Sequence, residues 1–212
     1  MPRNPSPLAA QGPKLLLGAV VLVGLLVAVA VQNWPRRPRT IEDLPPIEVY
    51  FSPHGGCTAA VVREIGEAQK TLLVQAYSFT SAPIADAVAE AHRRGVAVAV
   101  LLDKSQRTEK YSSADFLLHN GVTTLIDDDH NIAHNKIMII DGRTVITGSF
   151  NFSKNAENEN AENLLVIRDE KLAAIYTDNW QAHRQHSEPY TGKEAGPSGG
   201  HSSGRHRKPA GH

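Results

Sequence analysis

The middle of the chain alternates β-rich runs with segments of helical periodicity, and this alternation constrains the fold more than any other feature. Residues 96–103 (VAVAVLLD) are apolar at nearly every position, which is typical of a central strand covered on both faces. Helices are predicted on either side of this run, over residues 82–94 and 112–120. Strands that alternate with helices predict an α/β domain in which helices cover a β-sheet.

A turn further along the chain predicts that this sheet is mixed rather than wholly parallel. Asp141-Gly142 stands between two β-rich runs, residues 136–140 and 143–147, and this dipeptide favours a tight hairpin. A closing helix is predicted over residues 170–184. We therefore predict an α/β fold with a mixed β-sheet flanked by helices in α-β-α layers.

The N-terminal part of the chain carries an uninterrupted apolar run, residues 15–31 (LLLGAVVLVGLLVAVAV). Its 17 residues lie at the lower limit for a membrane-spanning helix and exceed the usual core of a signal peptide. We predict a transmembrane anchor, with a signal peptide cleaved near Ala30 as the alternative. Basic residues on both sides of the run leave its orientation open.

The predicted organisation has five parts. They are a basic segment (1–14), the transmembrane or signal segment (15–31), a Pro/Arg linker (32–46), the catalytic α/β domain (47–190) and a disordered Gly/Ser/His tail (191–212). The anchor predicts a domain held at a membrane on its periplasmic or extracellular side, and a cleaved signal predicts secretion.

The charge and cysteine content narrow the possible functions. The 22 basic and 22 acidic residues of the chain cancel, but residues 41–190 hold 13 basic against 21 acidic side chains, a balance of −8. Such an acidic domain is a poor non-specific surface for nucleic acid, whose affinity comes from neutralised phosphates. A single cysteine, Cys57, excludes an internal disulfide and a cysteine-based metal cage within one chain.

One segment carries the residues of a candidate active site. His134 and Lys136 are two apart, so on a strand their side chains point to the same face. The hairpin returns Gly148, Ser149 and Asn151 to the neighbourhood of His134. An ammonium, an amide and a hydroxyl bind an anionic oxygen cluster, and an imidazole attacks or exchanges protons.

The full string, H-x-K-x4-D-x6-G-S-x-N, resembles the HKD motif of the phospholipase D superfamily. Flanking segments are similar to its single-motif bacterial endonuclease branch. These segments are FSP (51–53), AYSFTSAPI (76–84), RRGV (93–96) and AENLLVI (161–167).

The resemblance implies a role for each motif residue. His134 is the expected nucleophile, which forms a covalent phosphohistidine that water then hydrolyses. Lys136, Ser149 and Asn151 are expected to bind the phosphate oxygens, and Glu162 to hydrogen-bond the imidazole of His134. Asp141 belongs to the motif, but its place in a turn predicts a structural hydrogen bond to the backbone of that turn.

The reaction needs a second histidine to protonate the leaving oxygen, and the chain has one copy of the motif. The resemblance therefore implies a homodimer in which two copies of His134 share one active site. No metal or other cofactor is expected. The acidic run Asp127-Asp128-Asp129 with His130 is interpreted as a solvated loop and not as a metal site.

Three functions remain open at this point. A nuclease acting on DNA or RNA agrees with the flanking segments and the compact domain. A phospholipase D that hydrolyses phospholipid head groups agrees with the membrane segment and the acidic domain. A catalytically idle module that binds nucleic acid or lipid is disfavoured because all the reacting residues are present.

Overall fold

The computed structural model describes residues 44–193, which contain eight strands and five α-helices. The strands are β1 (Ile47–Ser52), β2 (Thr71–Ala76), β3 (Ala97–Asp103), β4 (Thr123–Asp127), β5 (Lys136–Ile140), β6 (Thr144–Gly148), β7 (Glu162–Arg168) and β8 (Glu188–Pro189). The α-helices are α1 (Cys57–Glu67), α2 (Ala82–Arg93), α3 (Ala114–His119), α4 (Lys154–Asn158) and α5 (Glu170–His186), and a 3-10 helix spans Lys104–Arg107.

All eight strands form one mixed sheet in the order β1-β7-β6-β5-β2-β3-β4-β8. Strands β2, β3 and β4 are parallel, whereas β5 lies antiparallel beside β2 and continues through the hairpin into β6. The carboxyl ends of β1, β2, β3, β4 and β6 and the amino ends of β5 and β7 consequently lie at one edge of the sheet. We call this the site edge.

Helices cover the sheet on both faces, which confirms the predicted mixed α/β fold. Alternating residues of β3 show both layers. Val100 and Leu102 pack into the core cluster that includes residues of α1, α2 and α3, whereas Leu101 packs into the cluster beneath α5. Trp180 of α5 is fully buried, and its indole N–H donates to the backbone oxygen of Val74 at 2.9 Å.

The structure departs from the predicted elements at several ends. The run TLLVQAYSF predicts a strand over residues 71–79, but β2 ends three residues earlier, at Ala76, because the residues from Tyr77 onward leave the ladder. Phe79 is fully buried and forms an isolated bridge with Phe152. The 3-10 helix, α4 and β8 were not predicted, since each is short and lacks a periodic pattern.

The described residues bear on only part of the predicted domain organisation. The segments 1–14 and 15–31, most of the linker and all but three residues of the predicted tail lie outside them. Among residues 44–193, no helix combines the length and the hydrophobicity that a membrane crossing requires.

Candidate active site

The site edge brings together five of the six predicted site residues. His134 precedes β5 by two positions, Lys136 opens β5, and Glu162 opens β7. Ser149 and Asn151 follow the carboxyl end of β6. These residues lie close together because β5, β6 and β7 are antiparallel neighbours. The amino ends of β5 and β7 therefore lie beside the carboxyl end of β6.

A tyrosine that sequence reasoning missed lies between the two leading motif side chains. The ring centroid of Tyr77 is 4.6 Å from that of His134, and the ammonium of Lys136 lies 5.0 Å from the Tyr77 centroid. Tyr77 follows Ala76, which pairs with Lys136 across β2 and β5. The register of β2 against β5 places the tyrosine at the site.

Lys136 is almost completely buried, with 6% of its surface exposed. Its ammonium donates to the backbone oxygen of His134 at 2.7 Å. Burial lowers the pKa of Lys136 to about 8, and the negative charges of Glu162 and Asp103 oppose that shift. The side chain therefore still carries its proton at neutral pH and presents a partly desolvated cation at the site edge.

Asp103, a second residue missed by sequence reasoning, holds the segment that carries His134. Its buried carboxylate accepts from the backbone N–H of Ala133 at 2.7 Å and of Ser105 at 2.9 Å. Ala133 directly precedes His134, so Asp103 is a positioning residue for the imidazole. An acid at the end of the apolar run 96–103 was the signal available for it.

The Gly-Ser pair of the motif is explained by close contact with β7. The backbone N–H groups of Ser149 and Phe150 both donate to the oxygen of Asn163 at 3.1 Å, and the Ser149 hydroxyl accepts from the Asn163 N–H at 3.1 Å. A Cβ at Gly148 would lie 2.3 Å from the same oxygen, and the φ of Gly148 is +145°. Glycine at 148 thus permits the turn that exposes Ser149.

The side-chain oxygen of Asn151 is buried and has no hydrogen-bond partner within residues 44–193. An unsatisfied buried acceptor costs about 1–3 kcal/mol, so such groups call for an explanation. A water molecule or a protonated imidazole can donate to this oxygen, whereas the NH2 of the same amide is the group that can donate to a phosphate oxygen.

Glu162 lies at the site edge, but its contacts differ from the predicted one. Its carboxylate accepts from the side-chain N–H of Asn160 at 3.2 Å, and its backbone N–H donates to the hydroxyl of Ser52. No hydrogen bond joins Glu162 to His134 within the described part of the chain. The orienting role of Glu162 stays a prediction, whereas its charge acts on Lys136.

Asp141 lies at the opposite end of the hairpin from the other motif residues. Its carboxylate accepts from the backbone N–H groups of Gln69, Lys70 and Thr71, at 2.7–3.0 Å for the shortest bond to each. The prediction that Asp141 bonds to the backbone of its own turn is therefore wrong. Because Leu72 pairs with Ile140, the start of β2 lies beside the turn and supplies the donors instead.

The predicted solvated acidic loop needs one correction. Asp128 and Asp129 are exposed, but Asp127 ends β4 and is fully buried. Sequence reasoning missed this because two of the side chains that pack against Asp127, those of His183 and His186, are more than 50 positions away.

Comparison with known proteins identifies the family. A family model described as a cardiolipin synthase, PLD-like domain matches residues 61–184. The chain belongs to the phospholipase D superfamily. The predicted resemblance is thereby confirmed.

Two relatives show how far the similarity extends. A protein named phospholipase D from Rickettsia prowazekii is 42% identical over 134 residues, which are 63% of this chain and 65% of the relative. A mitochondrial cardiolipin hydrolase from Chlamydomonas reinhardtii is 35% identical over 53% of this chain and 50% of the relative. This chain therefore spans one half to two thirds of these relatives' lengths.

Among solved structures, the phospholipase D family member Nuc from Salmonella typhimurium is similar to this chain at a TM-score of 0.66 and 36% identity. The match covers 69% of this chain and 98% of Nuc. The compact domain of this chain thus matches almost the whole of Nuc.

Proposed function

We propose that this protein is a phosphodiesterase that cleaves nucleic acid through a covalent phosphohistidine at His134. The observation that carries the proposal is the convergence of His134, Lys136, Ser149 and Asn151 at one edge of the sheet. An exposed imidazole beside a desolvated ammonium, a hydroxyl and an amide provides a nucleophile and an oxyanion site together.

The reaction proceeds in two displacements. An imidazole nitrogen of His134 attacks phosphorus, the bond from phosphorus to the leaving oxygen breaks, and that oxygen takes up a proton. Water then attacks phosphorus, gives up a proton, and breaks the P–N bond to regenerate the imidazole. Lys136 and Asn151 bind the phosphate oxygens, on which negative charge builds up during each displacement.

The proton donor for the first step comes from a second copy of the chain in this proposal. His134 is exposed at the site edge, so an isologous dimer can face two copies of it toward one phosphate. In the second step the same partner imidazole accepts the proton of water. The proposed enzyme is therefore a homodimer with one shared active site.

A polar groove beside the motif supports nucleic acid as the substrate. The groove, about 540 Å³ in volume, is lined by Ser78, Thr80, Glu109, Tyr111, Ser153, Lys154 and Asn155. Tyr111 is 69% exposed, and the ammonium of Lys110 lies 5.1 Å from its ring centroid. An exposed aromatic ring with adjacent cations suits a base and its phosphate better than an acyl chain.

A phospholipid substrate is the second candidate, and two observations favour it. The relatives named above carry the names phospholipase D and cardiolipin hydrolase. In addition, Phe51 is 66% exposed on the outermost strand β1, one residue before the site edge at Ser52. An apolar side chain there can contact a lipid surface.

The substrate is tested with the purified full chain in detergent. Single-stranded and duplex DNA, RNA, phosphatidylcholine and cardiolipin are offered separately, with and without EDTA, and the His134→Gln variant is the control. We expect strand cleavage by the wild type that is absent from the variant. Head-group or cardiolipin hydrolysis with intact nucleic acid would establish the lipid candidate instead.

We further propose that residues 15–31 anchor the protein in a membrane with the catalytic domain on its periplasmic or extracellular side. The length and the uninterrupted apolar character of the run support the anchor. The mass of the mature chain distinguishes an anchor from a cleaved signal, because cleavage near Ala30 would remove the run.

A further inference from the structure

A second cluster of ionisable side chains lies where β4 ends. Asp127, with 0% of its surface exposed, is surrounded by three imidazoles. The shortest contacts to its carboxylate are 2.7 Å from Nδ1 of His183, 3.0 Å from Nδ1 of His130 and 3.4 Å from Nε2 of His186. One donor atom from each of the four residues lies within 4.8 Å of all the others.

We propose that Asp127, His130, His183 and His186 form a binding site for a divalent transition-metal cation, with Zn²⁺ as the best match. Three imidazole nitrogens and one carboxylate oxygen complete the four-coordinate shell that Zn²⁺ adopts in proteins. Mg²⁺ and Ca²⁺ prefer shells built almost entirely of oxygen, so the nitrogen-rich donor set excludes them as the matching ions.

The fold presents the four donors before any ion binds. His183 and His186 are three residues apart in the last turn of α5, so they share one face of the helix. Asp127 and His130 are likewise three apart, at the end of β4 and in the loop that follows. Pairing of Ile126 with Glu188 holds the end of α5 against β4.

The electrostatics of the cluster also favour a cation. The buried carboxylate of Asp127 is approached by three imidazoles at 2.7–3.4 Å, and no Lys or Arg side chain within residues 44–193 forms an ion pair with it. The three imidazole rings lie close to one another, with ring centroids 4.8–5.4 Å apart. A single divalent ion would bind the carboxylate and a lone pair from each neutral imidazole.

The position of the cluster assigns the ion a structural role. His130 lies four residues before His134, in the loop that joins β4 to β5. A metal bound there would tie this loop to α5 and β4, in addition to the bond that Asp103 makes to Ala133. The ion would thus stabilise the segment that carries the nucleophile without entering the phosphohistidine chemistry.

The test uses the untagged full chain, loaded with Zn²⁺ and separated from excess ion by gel filtration. We expect elemental analysis to find one tightly held equivalent per wild-type chain and its loss in His183→Ala and in His186→Ala. The matched control is His119→Ala, since His119 is an exposed helical histidine whose ring, among residues 44–193, bonds to the backbone oxygen of Asp115 and to no proposed ligand. Histidines of the C-terminal tail are present in every variant, so their binding cancels in the comparison.

Stability supplies a second readout. EDTA is expected to lower the Tm of the wild type and of His119→Ala, but not that of His186→Ala, which has no ion to lose. If the helix variants fail to fold, His130→Ala replaces them as the test. The His130 side chain is 44% exposed, so its removal disturbs the fold less and still removes one proposed ligand. Equal Zn²⁺ content and equal EDTA response in wild type and in the cluster variants would refute the site and leave a hydrogen-bonded Asp–His cluster. Phosphodiesterase activity below the Tm is expected to survive EDTA, so failure of one proposal does not imply failure of the other.

Discussion

At the scale of single residues, the burial of Lys136 is the feature with the clearest chemical consequence. In the proposed reaction, a cation that is 6% exposed would interact with a bound phosphate through a low effective dielectric, where its attraction is stronger than in water. The same burial lowers the pKa of Lys136 to about 8, so the charge can be removed in a mildly alkaline solution. The exposed His134 beside it carries out the proposed attack.

Substitution of Lys136 by arginine should change the pH dependence of the reaction. Because the ammonium loses its proton as the pH rises through about 8, we expect wild-type kcat/KM to fall above that pH. A guanidinium stays protonated, so Lys136→Arg should remove this alkaline limb while it reduces the maximal rate. The pH profile of kcat/KM measures both effects, with the exposed Lys110→Arg as control. An unchanged alkaline limb in Lys136→Arg would show that another group titrates there.

Substitution of His134 by glutamine removes the nucleophile and keeps a polar side chain at an exposed position. We expect turnover to fall by roughly 10⁴-fold or more, with an unchanged midpoint of urea unfolding. The phosphohistidine is not expected to survive acid. The wild-type reaction is therefore quenched with alkali, and the covalent adduct is sought by mass spectrometry. Residual turnover near the wild-type rate would contradict the role of His134.

At the scale of secondary-structure elements, the β5–β6 hairpin separates two tasks. Its open end places Lys136 and Ser149 at the site edge, whereas its turn fixes the hairpin to the start of β2 through Asp141. Asp141 and Gly142 both have positive φ, and the N–H of Arg143 donates to the oxygen of Ile140, as a tight turn requires. The motif thus combines residues of the site with residues that only set its framework.

Replacement of Asp141 by asparagine tests this separation. Burial would raise the pKa of Asp141, but the backbone N–H groups of residues 69–71 outweigh it and hold the pKa below its usual value. This contribution is present above the unfolded pKa, near 4, and is lost as the pH falls through the lower folded pKa. We expect Asp141→Asn to reduce the free energy of unfolding by about 1–3 kcal/mol at pH 7. The difference should narrow below about pH 4.

The same variant should retain kcat at a temperature where it is folded, since Asp141 lies at the end of the hairpin remote from the site. Asp178→Asn, an exposed acid on α5, is the control for stability. A large loss of kcat with intact folding would instead assign Asp141 a role in the reaction.

Replacement of Gly148 by alanine tests the contact between β6 and β7. The added Cβ would meet the Asn163 oxygen at 2.3 Å, and the backbone conformation is unfavourable for alanine. We expect a loss of about 1–3 kcal/mol in the free energy of unfolding and a lower kcat, because Ser149 must move. Gly66→Ala is the matched control, since nothing lies within 4 Å of its added Cβ. If Gly148→Ala unfolds in urea at the same midpoint as the wild type, this explanation of the motif glycine is contradicted.

At the scale of the whole molecule, the proposed shared site makes activity depend on pairs of chains. Wild type and His134→Gln chains are unfolded, mixed in equal amounts and refolded so that subunits assort at random. If each dimer needs two copies of His134, about one quarter of the wild-type activity should remain, since about one quarter of dimers are wild type in both chains. Chains that act independently would retain about one half, and that result would refute the shared site.

The order of elements and the composition of the motif could be predicted from the sequence because both depend on local patterns. The apolar run of β3 indicated a strand covered on both faces, and the structure places Val100 and Leu101 against opposite cores. The spacing of His134, Lys136 and Ser149 around the Asp141 turn likewise predicted residues that meet at one end of a hairpin.

Tertiary structure alone decided which other residues join them. Tyr77 lies near Lys136 because β2 pairs with β5. In this pairing Ala76 lies opposite Lys136, although the two residues are 60 positions apart in the sequence. His183 reaches Asp127 because α5 crosses the sheet and β8 pairs with β4. Side-chain periodicity records which face of an element is buried, but it carries no information about which distant element covers that face.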